Sequence, residues 1–259
     1  LLNKQQQPPS PHQPFPTAKR MDLAEGNIQR QAMLKLPILL ALALLVGQVN
    51  AEIVYHISLS SNRQWEPPCG TSSEPDCADL DAALRAHKQV ANNTGAEQVR
   101  FKYAAGTYFP VGNRSSVVLK QLSAPVIIEG GANVIIDLRN DKSRYLILDG
   151  TTDIVIKDLH VRNGRGISRE RDATYSPLYE QKGGSVVLIG GTTPVFERVT
   201  FSNSTLKGIG FGIQGGIFYI ENSSPTFKSC AFIGSSAGQG GAGWIQGGSP
   251  IFIDCLFEE

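Results

Sequence analysis

This chain has no excess charge of either sign. Its 259 residues carry 24 Lys and Arg against 23 Asp and Glu, a formal net charge of +1, so no overall field points to nucleic acid or to an anionic membrane. A membrane-length apolar run is missing too: Leu36 to Val46 has 11 residues, far short of the roughly 20 that a span needs. Cysteine is scarce, at four residues. Cys69 and Cys77 have no His or third Cys nearby to complete a metal site, and their Pro/Ser-rich segment suits a small-loop disulfide in an oxidising compartment. Helical periodicity is rare as well. Gly (27) and Pro (15) recur every few residues, and the apolar period over most of the chain is two, which argues for strands and turns.

What is present is a repeat. Gly183-Gly184 leads through an apolar strand to Pro194-Val-Phe196-Glu-Arg-Val199-Thr-Phe201. Gly215-Gly216 leads to Pro225-Thr-Phe227-Lys-Ser-Cys230-Ala-Phe232, and Gly240-Gly241 to Pro250-Ile-Phe252-Ile-Asp-Cys255-Leu-Phe257. The Gly pairs are 32 and 25 residues apart. Such a period, built from short strands and Gly/Pro corners, is the mark of a solenoid. Phe over Phe over Phe, and Val199 over Cys230 over Cys255, would line a continuous core at the strand spacing of about 4.8 Å. The expected fold is all-β: a single-stranded, right-handed parallel β-helix, its hand taken from the general preference of parallel crossovers. Cys230 and Cys255 are expected as buried thiols rather than a disulfide.

Residues 1–32 are polar and Pro-rich and predict a disordered or non-native leader that begins on Leu1. Residues 33–51 read as a signal peptide, with a basic start, an apolar centre and a small residue where cleavage would fall. Asn92, Asn113, Asn203 and Asn222 each begin an N-x-Ser/Thr glycosylation sequon, in keeping with a secreted or cell-surface address. Residues 52–75 are expected to hold an N-terminal strand and the Cys-containing linker. Residues 76–259 hold the coil, which stops at Glu259 in mid-repeat and is therefore expected to be truncated at its C-terminus.

One helix is expected. Asp76 with Asp79 forms a cap pattern, and Leu80, Ala83, Leu84, His87 and Ala91 share a face. An amphipathic helix there would cover the open end of the solenoid. Asp79-Leu-Asp-Ala-Ala-Leu84, the following strand and Ala105-Gly-Thr-Tyr108 resemble the entry of the pectate-lyase-like β-helix superfamily. Val126-Ile-Ile-Glu-Gly130, Asn133-Val-Ile-Ile-Asp137 and Asp153 to Gly164 are similar to its early coils. Gly215-Gly-Ile-Phe218 and Gly240-Gly-Ala-Gly243 are similar to repeats of the polymorphic outer membrane protein group, surface proteins and adhesins. The resemblance implies the β-helix fold and an extracellular role.

It implies no particular chemistry. Asn-Thr-Asp, Asp-Asp, Gly-His-Gly and Arg-Ile-Lys, signatures of the superfamily's hydrolases, are absent. Outward positions read Asp158/His160, Arg198/Thr200, Ser229/Ala231 and Asp254/Leu256, without the paired carboxylates that glycoside hydrolysis needs. A lyase would need an Arg or Lys base and acidic residues holding Ca²⁺, the one circumstance in which a cofactor is expected; otherwise neither cofactor nor metal is. Asp137, Asp149, Asp153 and Asp158 are the acidic residues that would meet near the early coils. Two further features are candidate ligand contacts. The insertion between Gly164 and Lys182 carries Arg165, Arg169 and Arg171, although a solvated, self-neutralising loop is the competing reading. Aligning the repeats places Leu188, Tyr219 and Trp244 in one outward column, a platform for sugar rings or a partner. The expected function is therefore extracellular binding or structure, toward a polysaccharide or a cell-surface or matrix component, without an evident catalytic site. The alternative is a polysaccharide lyase or glycoside hydrolase acting on acidic, pectin-like polysaccharide.

Overall fold

The computed structural model describes residues 52–59, 69, 76–94, 98–109, 117–120, 124–139, 144–166, 182–206 and 212–259, all within one compact unit, 50–259. The expected leader and signal peptide, Asn113, Arg169 and Arg171 lie outside the described residues.

The described strands form three parallel sheets of eight, six and five strands. The chain visits them in rotation: Gln98–Tyr103 in the first sheet, Gly106–Tyr108 in the second, Val117–Lys120 in the third, then Val126–Glu129 back in the first. Later coils repeat the circuit. One runs Ile154–Lys157, His160–Arg162, Val186–Ile189, and the next Val195–Glu197, Thr200–Ser202, Phe218–Glu221. Each strand thus pairs with its counterparts one coil away, as Phe196 does with Ile156 and Phe227. The fold is an all-β parallel solenoid.

The apolar columns follow the repeat. Phe196, Phe227 and Phe252 stack with ring centroids 4.9 and 5.0 Å apart, and Phe201, Phe232 and Phe257 at 5.6 and 4.7 Å. Cys230 and Cys255 are free, and Cys230 is buried, so burial pushes its thiol up to about 11. Each repeat strand read from the sequence is in fact two strands in two sheets. The corner between them is a single residue in the left-handed region: Asp158, Arg198, Ser229 or Asp254, with φ of 50 to 56°. That residue explains why Phe196 and Val199, three apart, both face the core.

The Gly-Gly pairs serve two needs. The first glycine of each pair has positive φ (61, 75 and 64° at Gly183, Gly215 and Gly240). In the first two pairs the second glycine lies against the next coil: a Cβ on Gly216 would stand 2.0 Å from the Gly241 carbonyl oxygen, so no side chain fits there.

Glu52–Ile57 pairs along its whole length with Gln98–Tyr103, so the first sheet begins before residue 76. Asp76–Cys77 pairs beyond it, and a disulfide joins Cys77 to Cys69. The single described helix, Leu80–Thr94, starts at Asp79, whose Oδ1 accepts the Ala82 amide at 2.7 Å. Asp76 is a strand residue, so Asp79 alone is the cap. Leu80, Ala83, Leu84 and Ala86 pack into the main core cluster. No described helix is long and apolar enough to cross a membrane. On the outer face of the first sheet, charges alternate in sign: Arg100 bonds Glu52 and Glu129 at 2.8 Å each, Lys157 bonds Glu129 at 3.0 Å and Lys228 bonds Glu197 at 3.4 Å.

Candidate functional site

The third sheet carries the candidate aromatic column, with one correction to its membership. Each first aligned strand residue lies three positions after its leading glycine, so Val186, Phe218 and Gly243 share a position. Backbone bonds from Gly183, Gly184 and Ser185 to the next coil set this register before the strand begins. Leu188 therefore stands over Ile220 and Ile245, and it is buried in the main core. Val187 takes the place expected for Leu188: the outer column runs Val118, Ile147, Val187, Tyr219, Trp244. A slip of one residue moves a side chain to the opposite face.

Tyr219 is also not the exposed ring expected, being 0% accessible. Lys182 Nζ lies 4.3 Å from the Tyr219 ring centroid and donates to its hydroxyl oxygen at 2.8 Å. That hydroxyl lies 3.1 Å from both Glu221 Oε2 and Gln246 Oε1, and shares its one proton between them. Trp244 is half-buried, and its indole Nε1 is covered without a hydrogen-bond partner. The column thus presents a partly open indole in register with a buried tyrosine whose hydroxyl meets a cation, a carboxylate and an amide.

The acidic candidates do not converge. Asp137 accepts bonds from Arg162 Nε (2.9 Å), Asn163 Nδ2 (2.8 Å) and the Arg139 amide (2.9 Å). Burial pushes its carboxyl up, but these donors outweigh burial and hold it below the usual carboxylate range. Asp158 is gripped by the Arg198 guanidinium at 2.6 and 2.9 Å, and this bond holds its carboxyl down. Asp149 pairs with Lys120 at 3.1 Å, and Asp153 accepts the Thr152 hydroxyl at 3.1 Å. Each is tied to its own local partner. Among the described residues, no three His, Cys, Asp or Glu are grouped to hold a metal ion. Of the insertion's arginines, only Arg165 is described, and it is half-buried. Asn203 and Asn222 are exposed at left-handed corners, whereas Asn92 lies within the helix.

Sequence reasoning missed one pair. On the outer face of the second sheet, His160 Nε2 lies 2.7 Å from Ser202 Oγ. The two are 42 residues apart and meet only because adjacent coils stack, so no local motif announces them. Comparison with protein-family models, with curated proteins and with solved structures finds no match to this chain.

Proposed function

We propose that the chain is a secreted, right-handed parallel β-helix that binds an extracellular carbohydrate or cell-surface component through the outer face of its third sheet. The carrying observation is the half-buried Trp244 ring at the edge of that column, in register with Tyr219, whose hydroxyl meets Lys182, Glu221 and Gln246. The right hand follows from the near-universal preference of parallel crossovers, and the helix Leu80–Thr94 is assigned as the cap of the coil's first end. Resemblance of the early coils to the pectate-lyase-like superfamily supports the same reading. The Cys69–Cys77 disulfide fits an oxidising, extracellular compartment, and the exposed Asn203 and Asn222 are the sequons best placed for glycans.

Binding is favoured over cleavage of the polysaccharide backbone because the acidic candidates are engaged. A glycosidase needs a carboxyl with raised pKa as general acid, whereas Asp137 is held down, against burial, by Asn163, the Arg139 amide and Arg162, and Asp158 by Arg198. Trp244→Ala tests the reading. Retention on immobilised pectin or polygalacturonate should fall about tenfold, equivalent to some 1.4 kcal/mol, while the melting temperature stays close to that of the parent. Unchanged retention would remove the site, and equal loss of folding would show that the ring is core.

A further inference from the structure

The outer face of the second sheet holds a group of polar residues that the binding reading does not use. His160 and Arg162 flank the core residue Val161 in one strand, and Thr200 and Ser202 flank Phe201 in the next. Period-2 alternation therefore puts His160, Arg162, Thr200 and Ser202 on one face. His160 reaches diagonally across the pair to Ser202, with Nε2 and Oγ 2.7 Å apart, within the hydrogen-bond reach that a base needs to take a proton. Arg162 is in direct register with Ser202, about 4.8 Å away strand to strand. Its guanidinium has five N–H donors, and Asp137 Oδ2 accepts from Nε at 2.9 Å and Nη2 at 2.8 Å. Asp137 is fixed in turn by Asn163 Nδ2. The guanidinium is thus held by Asp137, on the strand across from that of the serine.

We propose that Ser202 and His160 form a nucleophile–base pair that hydrolyses a small carboxylic ester. With its proton on Nδ1, His160 accepts the serine hydroxyl at Nε2. Burial and the nearby Arg162 charge lower the imidazole's affinity for protons, while Asp137 pulls the other way, and the net effect is a ring below its ordinary range, so the free base is present at neutral pH. Ser202 Oγ bonds to the acyl carbon as its proton passes to His160 Nε2. The bond from acyl carbon to alcohol oxygen then breaks, and the departing oxygen takes the proton from His160. Water attacks the acyl-serine, gives a proton to His160 and releases the acid, and Ser202 recovers its proton. Ester and water leave as acid and alcohol. Ser202 is only 8% exposed, which restricts the substrate to a compact acyl group. The inference is independent of carbohydrate binding at Trp244, which lies on another sheet.

A small phosphonylating reagent, diisopropyl fluorophosphate, tests the pair in the full chain by intact mass and peptide mapping. The expected result is a single adduct on Ser202, absent in Ser202→Ala and retained in Ser236→Ala, whose serine is exposed. His160→Gln should slow labelling and p-nitrophenyl acetate hydrolysis at least about 100-fold, the span of general-base catalysis, with the melting temperature kept. No adduct on Ser202, or parent-rate labelling in folded His160→Gln, would overturn the proposal. Should His160→Gln not fold, the parent's labelling profile decides. A rate that rises through one ionisation below neutrality and then levels supports the base, and a rate that tracks hydroxide throughout overturns it.

Discussion

Gly216 has room for a hydrogen and nothing more. Its replacement by Ala would drive a Cβ to 2.0 Å from the Gly241 carbonyl and 3.0 Å from Ser236 backbone atoms. Neither obstacle is the end of a flexible side chain, so the coils must separate. The expected loss is about 3 kcal/mol, the upper range for overpacking, and denaturant unfolding of Gly216→Ala measures it; a change below about 0.5 kcal/mol would show that the backbone yields. His87 makes a second residue-scale case. It is buried edge-on against Tyr55 and Phe101, ring centroids 6.0 and 6.5 Å away, and its Nδ1 has no partner. Burial lowers its pKa from 6.5, so the folded chain prefers the neutral ring. That contribution is complete above the unfolded value and is lost as pH falls through the lowered folded one. Melting temperature should therefore decline between pH 7 and 5, and His87→Phe should flatten the decline. Parallel curves for the two proteins would contradict this role.

At the scale of elements, the stacked phenylalanines tie the coils together. Phe227 is sandwiched between Phe196 and Phe252 and touches Phe218 and Phe232 as well. Phe227→Ala should cost about 3–5 kcal/mol and should lower the protection from hydrogen exchange of Val195–Glu197 and Ile251–Ile253 together; loss confined to one of them would mean that the coils are not coupled through the ring. These columns were legible in the sequence because Phe, Val/Cys and Phe recur at fixed distances from Pro194, Pro225 and Pro250. The corners were not, since Asp158, Arg198, Ser229 and Asp254 share no residue type that marks a left-handed turn. The third sheet's register escaped as well: Val187 and Leu188 are both aliphatic, and pattern alone does not say which faces the core. The contact of His160 with Ser202 depends on stacking across a coil and has no signature along the chain.

For the whole molecule, a solenoid buries core only where one coil meets the next. The last described coil accordingly leaves Phe257 half exposed, at 51%, whereas Phe232, its counterpart one coil earlier, is at 1%. The outer faces divide by chemistry: alternating charges on the first sheet, the His160–Ser202 group on the second and the Trp244 edge on the third. On the proposed function, the third face holds a polysaccharide without cutting its backbone. Incubating the purified protein with polygalacturonate, with and without Ca²⁺, tests it most directly when bound protein, unsaturated uronide absorbance and reducing ends are followed in one reaction. The expected result is retention of the protein on the polymer with neither product rising above a heat-denatured control. Unsaturated product that depends on Ca²⁺, or reducing ends formed without unsaturation, would contradict it and establish lyase or hydrolase chemistry instead.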